Sequence, residues 1–179
     1  MDRLLHRTSI RAAYSAAVLF AISLARFFFI PLLGLPDTSV IVAQLNGGIL
    51  PVAAHLILFP VVAALAAPEW ARAAGYGWLV IDISTDIMAL DRVADTIYLP
   101  MRFGGHIVAA IWIATASWRA GGGTRWIGLL LALNLGAFSF LPNGPIALLY
   151  PSAFLLPIWF ALVGRTLAHE QAGSPVEQP

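Results

Sequence analysis

The stretch Tyr76–Met101 constrains the fold most strongly, because it is apolar enough to span a membrane and still carries several charges. The charged residues in it are Asp82, Asp86, Asp91, Arg92 and Asp95. At about 100° per residue, Asp82 and Asp86 share one face of a helix. Asp91 and Asp95 fall on roughly the opposite face. Since a charge at bilayer depth costs at least ~2.5–3.5 kcal/mol, we expect one continuous helix at the centre of a bundle, in contact with spans 1, 2 and 4.

Composition indicates an integral membrane protein of the all-α class. Hydrophobic residues make up 60% of the 179-residue chain, charged residues only 11%, and mean hydropathy is +0.84. Soluble domains average about 25% charged residues. A span needs ~20 residues, so the length predicts a polytopic bundle of about six transmembrane helices in a single domain, residues 1–170. Residues 171–179 are polar and predict a disordered cytoplasmic tail.

The positions of the spans follow from the apolar segments and the turns between them. The predicted spans are about Ala13–Leu35, Ile49–Ala67, Tyr76–Met101, Phe103–Trp118, Trp126–Leu141 and Ile146–Val163. Asn46-Gly47-Gly48 predicts a break before span 2, and Pro60 predicts a tolerated kink within it. The glycine-rich segment 119–125 predicts a loop between spans 4 and 5.

The arginines predict the orientation of the bundle. With the N-terminus inside, the cytoplasmic set is Arg3, Arg7, Arg11, Arg72, Arg119, Arg125 and Arg165. Arg102 then faces outward, which fits the positive-inside rule. We therefore expect a multi-pass protein of a bacterial-type cytoplasmic (inner) membrane, with both termini in the cytoplasm.

Several polar residues fall at similar depth in different spans. At ~1.5 Å per residue, Arg26, His55, Asp91 and His106 all lie ~18–22 Å from the inner ends of their spans, and Asp86 lies about a turn below. Ionisable residues inside a membrane are functional candidates by default. The predicted ligand-binding residues are therefore Arg26, Asn46, His55, Asp86, Asp91 and His106. Arg26 needs a carboxylate partner, and Asp91 is closest in height, followed by Asp86.

These residues favour a substrate-binding or transporter-type membrane subunit for a small polar or charged solute. Buried ionisable side chains beside a broken helix are typical of transport sites. Residues 1–90 and 91–179 show no internal repeat, which favours a subunit that works with other membrane subunits. The alternative is a structural or assembly subunit, in which the charges only hold helices together. A net charge of +1 gives no argument for a nucleic-acid partner.

Two further alternatives involve bound groups. His55 and His106 could supply both axial ligands of a haem, although the main hypothesis expects no cofactor. His55, His106, Asp91 and Asp95 could instead support a metal-assisted hydrolase. The sequence contains neither an HExxH nor a GxSxG pattern, so we expect neither an enzyme nor a metal site. The absence of cysteine excludes disulfides and thiolate chemistry.

Overall fold

The computed structural model describes residues 3–32, 49–141 and 144–173, and their regular structure is entirely helical. The elements are α1 (Arg3–Leu32), α2 (Ile49–Leu56), α3 (Phe59–Ala64), α4 (Glu69–Leu90), α5 (Asp95–Ala120), α6 (Gly122–Ser139), a 3-10 turn (Ile146–Leu149) and α7 (Tyr150–Gly173). The predicted all-α bundle is confirmed. The predicted break at residues 46–48 lies outside the described residues.

The helices form a closed ring in which each element packs against the next. α4 packs against α5 and against α2 and α3, α6 lies between α5 and α7, and α7 returns to α1, which also contacts α2 and α3. Short connections make neighbours such as α5 and α6 antiparallel. The predicted contacts of the third span with the second and fourth are confirmed. α1 and α4 are not a closely packed pair among the described residues.

The prediction of one helix from Tyr76 to Met101 is wrong. α4 ends at Leu90, Asp91 is its C-cap, and Arg92 adopts a positive φ of 57°. α5 then begins at Asp95, whose carboxylate lies in the first turn, where the free N–H groups of a helix favour negative charge. Asp91 and Asp95 are both exposed. The chain thus avoids burying carboxylates on opposite helix faces by turning between them.

Three segments are long and apolar enough to cross a membrane, judged by length and composition within the described residues. They are Leu4–Arg26, Asp95–Ala120 and Ala147–Ala172, with Ile49–Ala64 as a shorter apolar segment. α1 begins well before the predicted start of span 1, and α7 extends past the predicted end of span 6. Residues 171–173 are therefore helical, and the rest of the predicted tail, residues 174–179, lies outside the description.

The predicted glycine-rich loop is a tight corner instead. A single residue, Gly121, connects α5 to α6 with φ 74°, a conformation that favours glycine because it has no Cβ. Arg125 stabilises this connection, because its Nε and Nη2 atoms donate hydrogen bonds to the Trp118 carbonyl at 3.1 and 2.9 Å. The guanidinium also lies 5.0 Å from the Trp118 ring centroid, within cation–π range.

Pro60 divides the second span into two short helices. A proline has no N–H and so cannot bond to the carbonyl four residues earlier, which here belongs to Leu56, the last residue of α2. Leu58 bonds to the His55 carbonyl at 3.1 Å, and α3 begins at Phe59. The Pro60 carbonyl accepts a hydrogen bond from Ser9 Oγ at 2.8 Å, which anchors α3 to α1. The predicted kink is thus a break directly after His55.

A closed circuit of aromatic rings crosses the interior of the bundle. We call it the aromatic layer, and its members are Phe20, His55, Trp78, Trp112, Trp159 and Phe160. Consecutive ring centroids in this circuit are between 4.9 Å (Trp159–Phe160) and 5.7 Å apart. Trp112, Trp159 and Phe160 are fully buried. Such offset and edge-to-face contacts add stability beyond the burial of area.

Gly128 allows α6 to approach this layer closely. A Cβ at Gly128 would overlap the Oγ of Ser117 and would lie 2.5 Å from Trp159 Nε1. Trp159 Nε1 donates to Ser117 Oγ at 2.8 Å, so α5, α6 and α7 meet at this point. A Cβ at Gly136 would meet Ala110 at an ordinary 3.5 Å. The close approach is therefore at Gly128 and not at Gly136.

Candidate functional site: a polar cavity

A cavity of about 250 Å³ lies directly beside the aromatic layer. Its polar lining consists of His55, Asp82, Asp86, Arg102, His106 and Ser152. The apolar part of the lining includes Phe20, Trp78 and several leucines. At ~30 Å³ per molecule, the volume corresponds to about eight waters. This is slightly below the ~300–1,000 Å³ typical of drug-sized pockets, so the cavity fits a small solute.

His55 lies between two carboxylates of α4. Its Nε2 is 3.3 Å from Asp82 Oδ2, and its Nδ1 is 3.3 Å from Asp86 Oδ2. The two aspartates are four residues apart on one helix, so they face the same neighbour, α2. The three residues are only 6%, 5% and 4% exposed, in the order His55, Asp82, Asp86. Burial of this kind makes their mutual charge interactions stronger than at a surface.

Arg102, which belongs to α5, is the positively charged member of the cluster. Its Nη2 donates to Asp86 Oδ1, and its Nε donates to Thr85 Oγ1 at 3.0 Å. Thr85 in turn donates to the backbone carbonyl of Asp82 at 3.0 Å. The Arg102 side chain is 26% exposed, so the guanidinium lies at the margin of the cavity. This ion pair joins α4 to α5 across the turn at Asp91.

Two further contacts position Asp82. Trp78 Nε1 donates to Asp82 Oδ2 at 2.5 Å, which links the aromatic layer to the polar cluster. A Cβ at Gly105 would lie 2.7 Å from Ile81 Cγ2 and 3.3 Å from Asp82 Oδ1. Because Gly105 has no side chain, α5 approaches α4 closely at this height. His106 follows Gly105 and lies four residues after Arg102, so α5 presents both to the cavity.

Four polar atoms of the lining have no hydrogen-bond partner within the described residues. They are His55 Nδ1, Asp82 Oδ1, Asp86 Oδ2 and His106 Nδ1. The 3.3 Å approach of His55 Nδ1 to Asp86 Oδ2 is an ion-pair distance without hydrogen-bond geometry. A buried polar atom left unsatisfied costs about 1–3 kcal/mol. Native cores contain few such atoms, and their concentration around one cavity therefore indicates a place for polar ligand atoms.

The structure brings together part of the predicted site. His55, Asp86 and His106 line the same cavity. Asp91 was predicted beside them, but it caps α4 and is exposed, because the helix ends before it. Arg26 is half-buried on α1 and is not among the described residues that line the cavity. Asn46 lies outside the described residues.

Asp82 and Arg102 belong to the cluster, although the sequence analysis did not select them. The positive-inside rule places Arg102 on the outer side of the membrane, and helical periodicity singles out Asp82 only for the helix face that it shares with Asp86. In both cases the four-residue spacing along a helix could have indicated that the residue belongs to the cluster. It puts Asp82 on the face of Asp86, and it puts Arg102 on the face of His106. Thr85 gave no signal of its own, since a threonine in a helix commonly bonds to a preceding carbonyl.

The geometry does not favour the two alternatives with bound groups. Both ring nitrogens of His55 face carboxylates, which leaves neither directed at a haem iron. The volume of the cavity, which holds about eight waters, is also far smaller than the volume of a porphyrin with its propionates. Asp91 caps α4 and Asp95 begins α5; both are exposed, and neither lines the cavity that contains His55 and His106. In the described part of the chain, no three histidine or carboxylate side chains are arranged to hold a metal ion.

No protein-family model matches this chain, and comparisons with curated proteins and with solved structures found no match. The function is therefore inferred from the geometry and chemistry of the cavity.

Proposed function

We propose that this chain is a six-span protein of a cytoplasmic-type membrane. Three of the ring's segments have the length and hydropathy of spans. α4, α6 and the pair α2–α3 pack beside them in the same ring, which supports a crossing by each of these elements as well. α4 carries Asp82 and Asp86 on the cavity side, which explains why its composition is less apolar than that of a lipid-facing helix.

The arginines support an orientation with both termini in the cytoplasm. His6 Nε2 lies 2.7 Å from the Leu167 carbonyl, so the start of α1 and the end of α7 share one end of the bundle. Thr124 and Thr166 meet there too, with their hydroxyls 3.1 Å apart. This basic end carries Arg7, Arg11, Arg72, Arg119, Arg125 and Arg165, together with the exposed Trp70, Trp118 and Trp126. An arginine excess is typical of the cytoplasmic side, and tryptophan is enriched at both membrane interfaces.

Within this frame, the protein binds a small polar or charged solute, as a substrate-binding or transporter-type subunit that works with other membrane subunits. The observation that supports this is the pair of buried, unpartnered carboxylate oxygens, Asp82 Oδ1 and Asp86 Oδ2, in the wall of the cavity. A charge network with a purely structural role favours full pairing of its acceptors, because each unpaired one is costly. A bound solute with donor groups satisfies both oxygens.

Thermal melts of the purified protein in detergent test this function. The protein is melted with a panel of small cationic, anionic and neutral solutes. A ligand present at 100 times its Kd stabilises the folded state by about 2.7 kcal/mol. We expect at least one class to raise the Tm of the wild type and of Asp91→Asn, but not of Asp82→Asn. Asp91→Asn is the matched control, because it makes the same chemical change in the exposed turn at the end of the same helix.

The structural or assembly role is the second candidate, supported by the Arg102–Asp86 pair that joins α4 to α5. On that interpretation Asp82→Asn removes a buried charge and alters the Tm, while no solute in the panel shifts the Tm of the wild type. Such a result would contradict the solute-binding function.

A further inference from the structure

We infer that the cavity takes a small organic monocation, and that its positive charge replaces a proton carried by His55. The inference rests on the proposed solute-binding function and names its substrate class. Asp82 and Asp86 contribute two negative charges and Arg102 one positive charge. With His106 neutral, the charges of these groups and a protonated His55 sum to zero, and with His55 also neutral they sum to one negative charge. A bound monocation restores neutrality in the second case.

The contacts of His55 explain why the proton and the cation are exchanged. A neutral imidazole has one N–H donor and one acceptor nitrogen, whereas an imidazolium has two donors. Both nitrogens of His55 lie at an ion-pair distance of 3.3 Å from a carboxylate oxygen, so the imidazolium places an N–H beside each carboxylate, whereas the neutral ring places an N–H beside only one. When a cation lies against these carboxylates, it supplies the positive charge that His55 otherwise provides. Two positive charges beside the same carboxylates repel each other, and the proton therefore leaves as the cation binds.

The other charged groups around His55 do not occupy Asp82 Oδ1 and Asp86 Oδ2, the two oxygens to which the cation binds in this proposal. From α5, Arg102 is directed at Asp86 Oδ1 and Thr85, and His106 lines the same cavity. The lining residues from the remaining elements are uncharged: Phe20, Pro51, Leu131, Leu135, Leu149, Ser152, Ala153 and Leu156. Arg102 thus satisfies one carboxylate oxygen, and the unpartnered oxygens of Asp82 and Asp86 stay available to the ligand.

The apolar lining indicates an organic cation. Trp78 and Phe20 line the cavity and place their rings against His55, with centroids 5.5 and 5.6 Å from the imidazole. An aromatic face attracts a cation within about 6 Å, and methylene groups pack well against leucines. The space of about eight waters suits an amine with a few carbon atoms. An anion is disfavoured by the two carboxylates, which outnumber the single guanidinium.

Isothermal titration calorimetry of the full chain in detergent tests the inference, with n-butylammonium as the probe. n-Butanol and butyrate are the neutral and anionic matches. Titration in two buffers of different ionisation heat gives the number of protons released. We expect binding of butylammonium alone, with release approaching one proton per ligand. Because a proton leaves as the cation binds, the affinity should increase with pH, by at most about tenfold per pH unit.

Three variants separate the parts of the inference. Asp82→Asn should weaken butylammonium binding by about ten- to hundredfold, the range for a hydrogen bond to a charged group. His55→Gln should still bind the probe, but without proton release and without the pH dependence. Asp91→Asn should bind as the wild type does. If Asp82→Asn does not fold, the His55→Gln titration still decides the exchange.

The outcomes that contradict the inference differ from those that contradict the proposed function. Binding of butyrate or butanol in place of butylammonium would overturn the cation class and leave solute binding intact. Unchanged proton release in His55→Gln would overturn the role of His55. If none of the three probes binds the wild type, the inference is wrong, and the melts with the wider panel decide separately whether the cavity binds another solute.

Discussion

The interior of the bundle differs on the two sides of Trp78. Toward the basic end, α5, α6 and α7 meet around Trp112 and Trp159, which are fully buried among other rings and small residues. Toward the opposite end, the same helices help to line a cavity of about 250 Å³ with Asp82 and Asp86 in its wall. One side is filled by side chains, and the other keeps charged groups beside open space.

This difference separates the sources of stability and of function. Close packing holds helices together in a membrane, where lipid is as apolar as a leucine side chain. Buried ion pairs are weaker evidence for stability, because the cost of desolvation can exceed the gain from the charges. The packed side should therefore determine whether the bundle forms, and the polar side should determine what it binds. Substitutions matched between the two sides test that division.

The largest effect should come from Trp112→Ala in the packed side. Trp112 is fully buried and contacts the rings of Trp78 and Trp159. Truncating a buried tryptophan costs about 3–5 kcal/mol, because the cavity left behind only partly closes. Trp118→Ala, on the same helix at a 60% exposed position, is the control and should change stability far less. Thermal and denaturant melts in detergent measure both, and equal losses would contradict a packed core at Trp112.

A smaller loss with a distinctive rescue is expected from the ion pair. Arg102→Leu leaves the buried carboxylate of Asp86 without its guanidinium, at a cost of about 3 kcal/mol. The double variant Arg102→Leu with Asp86→Leu removes both charges and should recover most of that loss. A double-mutant cycle from the same melts gives the coupling energy. Additive losses would show that the pair does not hold α4 against α5.

The smallest effect should come from Gly105→Ala, which changes only the α4–α5 spacing beside the cavity. The added Cβ would press on Ile81 and Asp82, and such overpacking costs typically 1–3 kcal/mol. Part of this is offset by the better helix propensity of alanine, up to about 1 kcal/mol. The adjacent Gly104→Ala is the matched control, since its Cβ meets nothing within 4 Å. Melts should therefore move in opposite directions for the two variants.

The sequence predicted the class of fold and part of the site, since composition and the spacing of apolar residues are sufficient for those conclusions. The prediction from sequence failed at the turn after α4, because no residue there marks the end of a helix. Residues 91–94 contain neither glycine nor proline, so nothing marked the turn at Asp91 and Arg92. Pro100 is the nearest residue of a type that commonly marks a turn, yet α5 passes through it. Counting depth along one continuous helix therefore placed Asp91 in the bundle and Arg102 in a loop.

Because of the proline break, the two walls of the cavity are built on supports of different length. α4 and α5 are long and approach each other closely at Gly105, so Asp82, Asp86 and Arg102 share one pair of continuous helices. His55 belongs to an eight-residue helix, and the break at residues 57–58 separates it from α3. The Ser9 hydroxyl bonds to the Pro60 carbonyl on the far side of that break. Within residues 49–64, no unbroken helical hydrogen-bond ladder therefore connects the imidazole to this anchor.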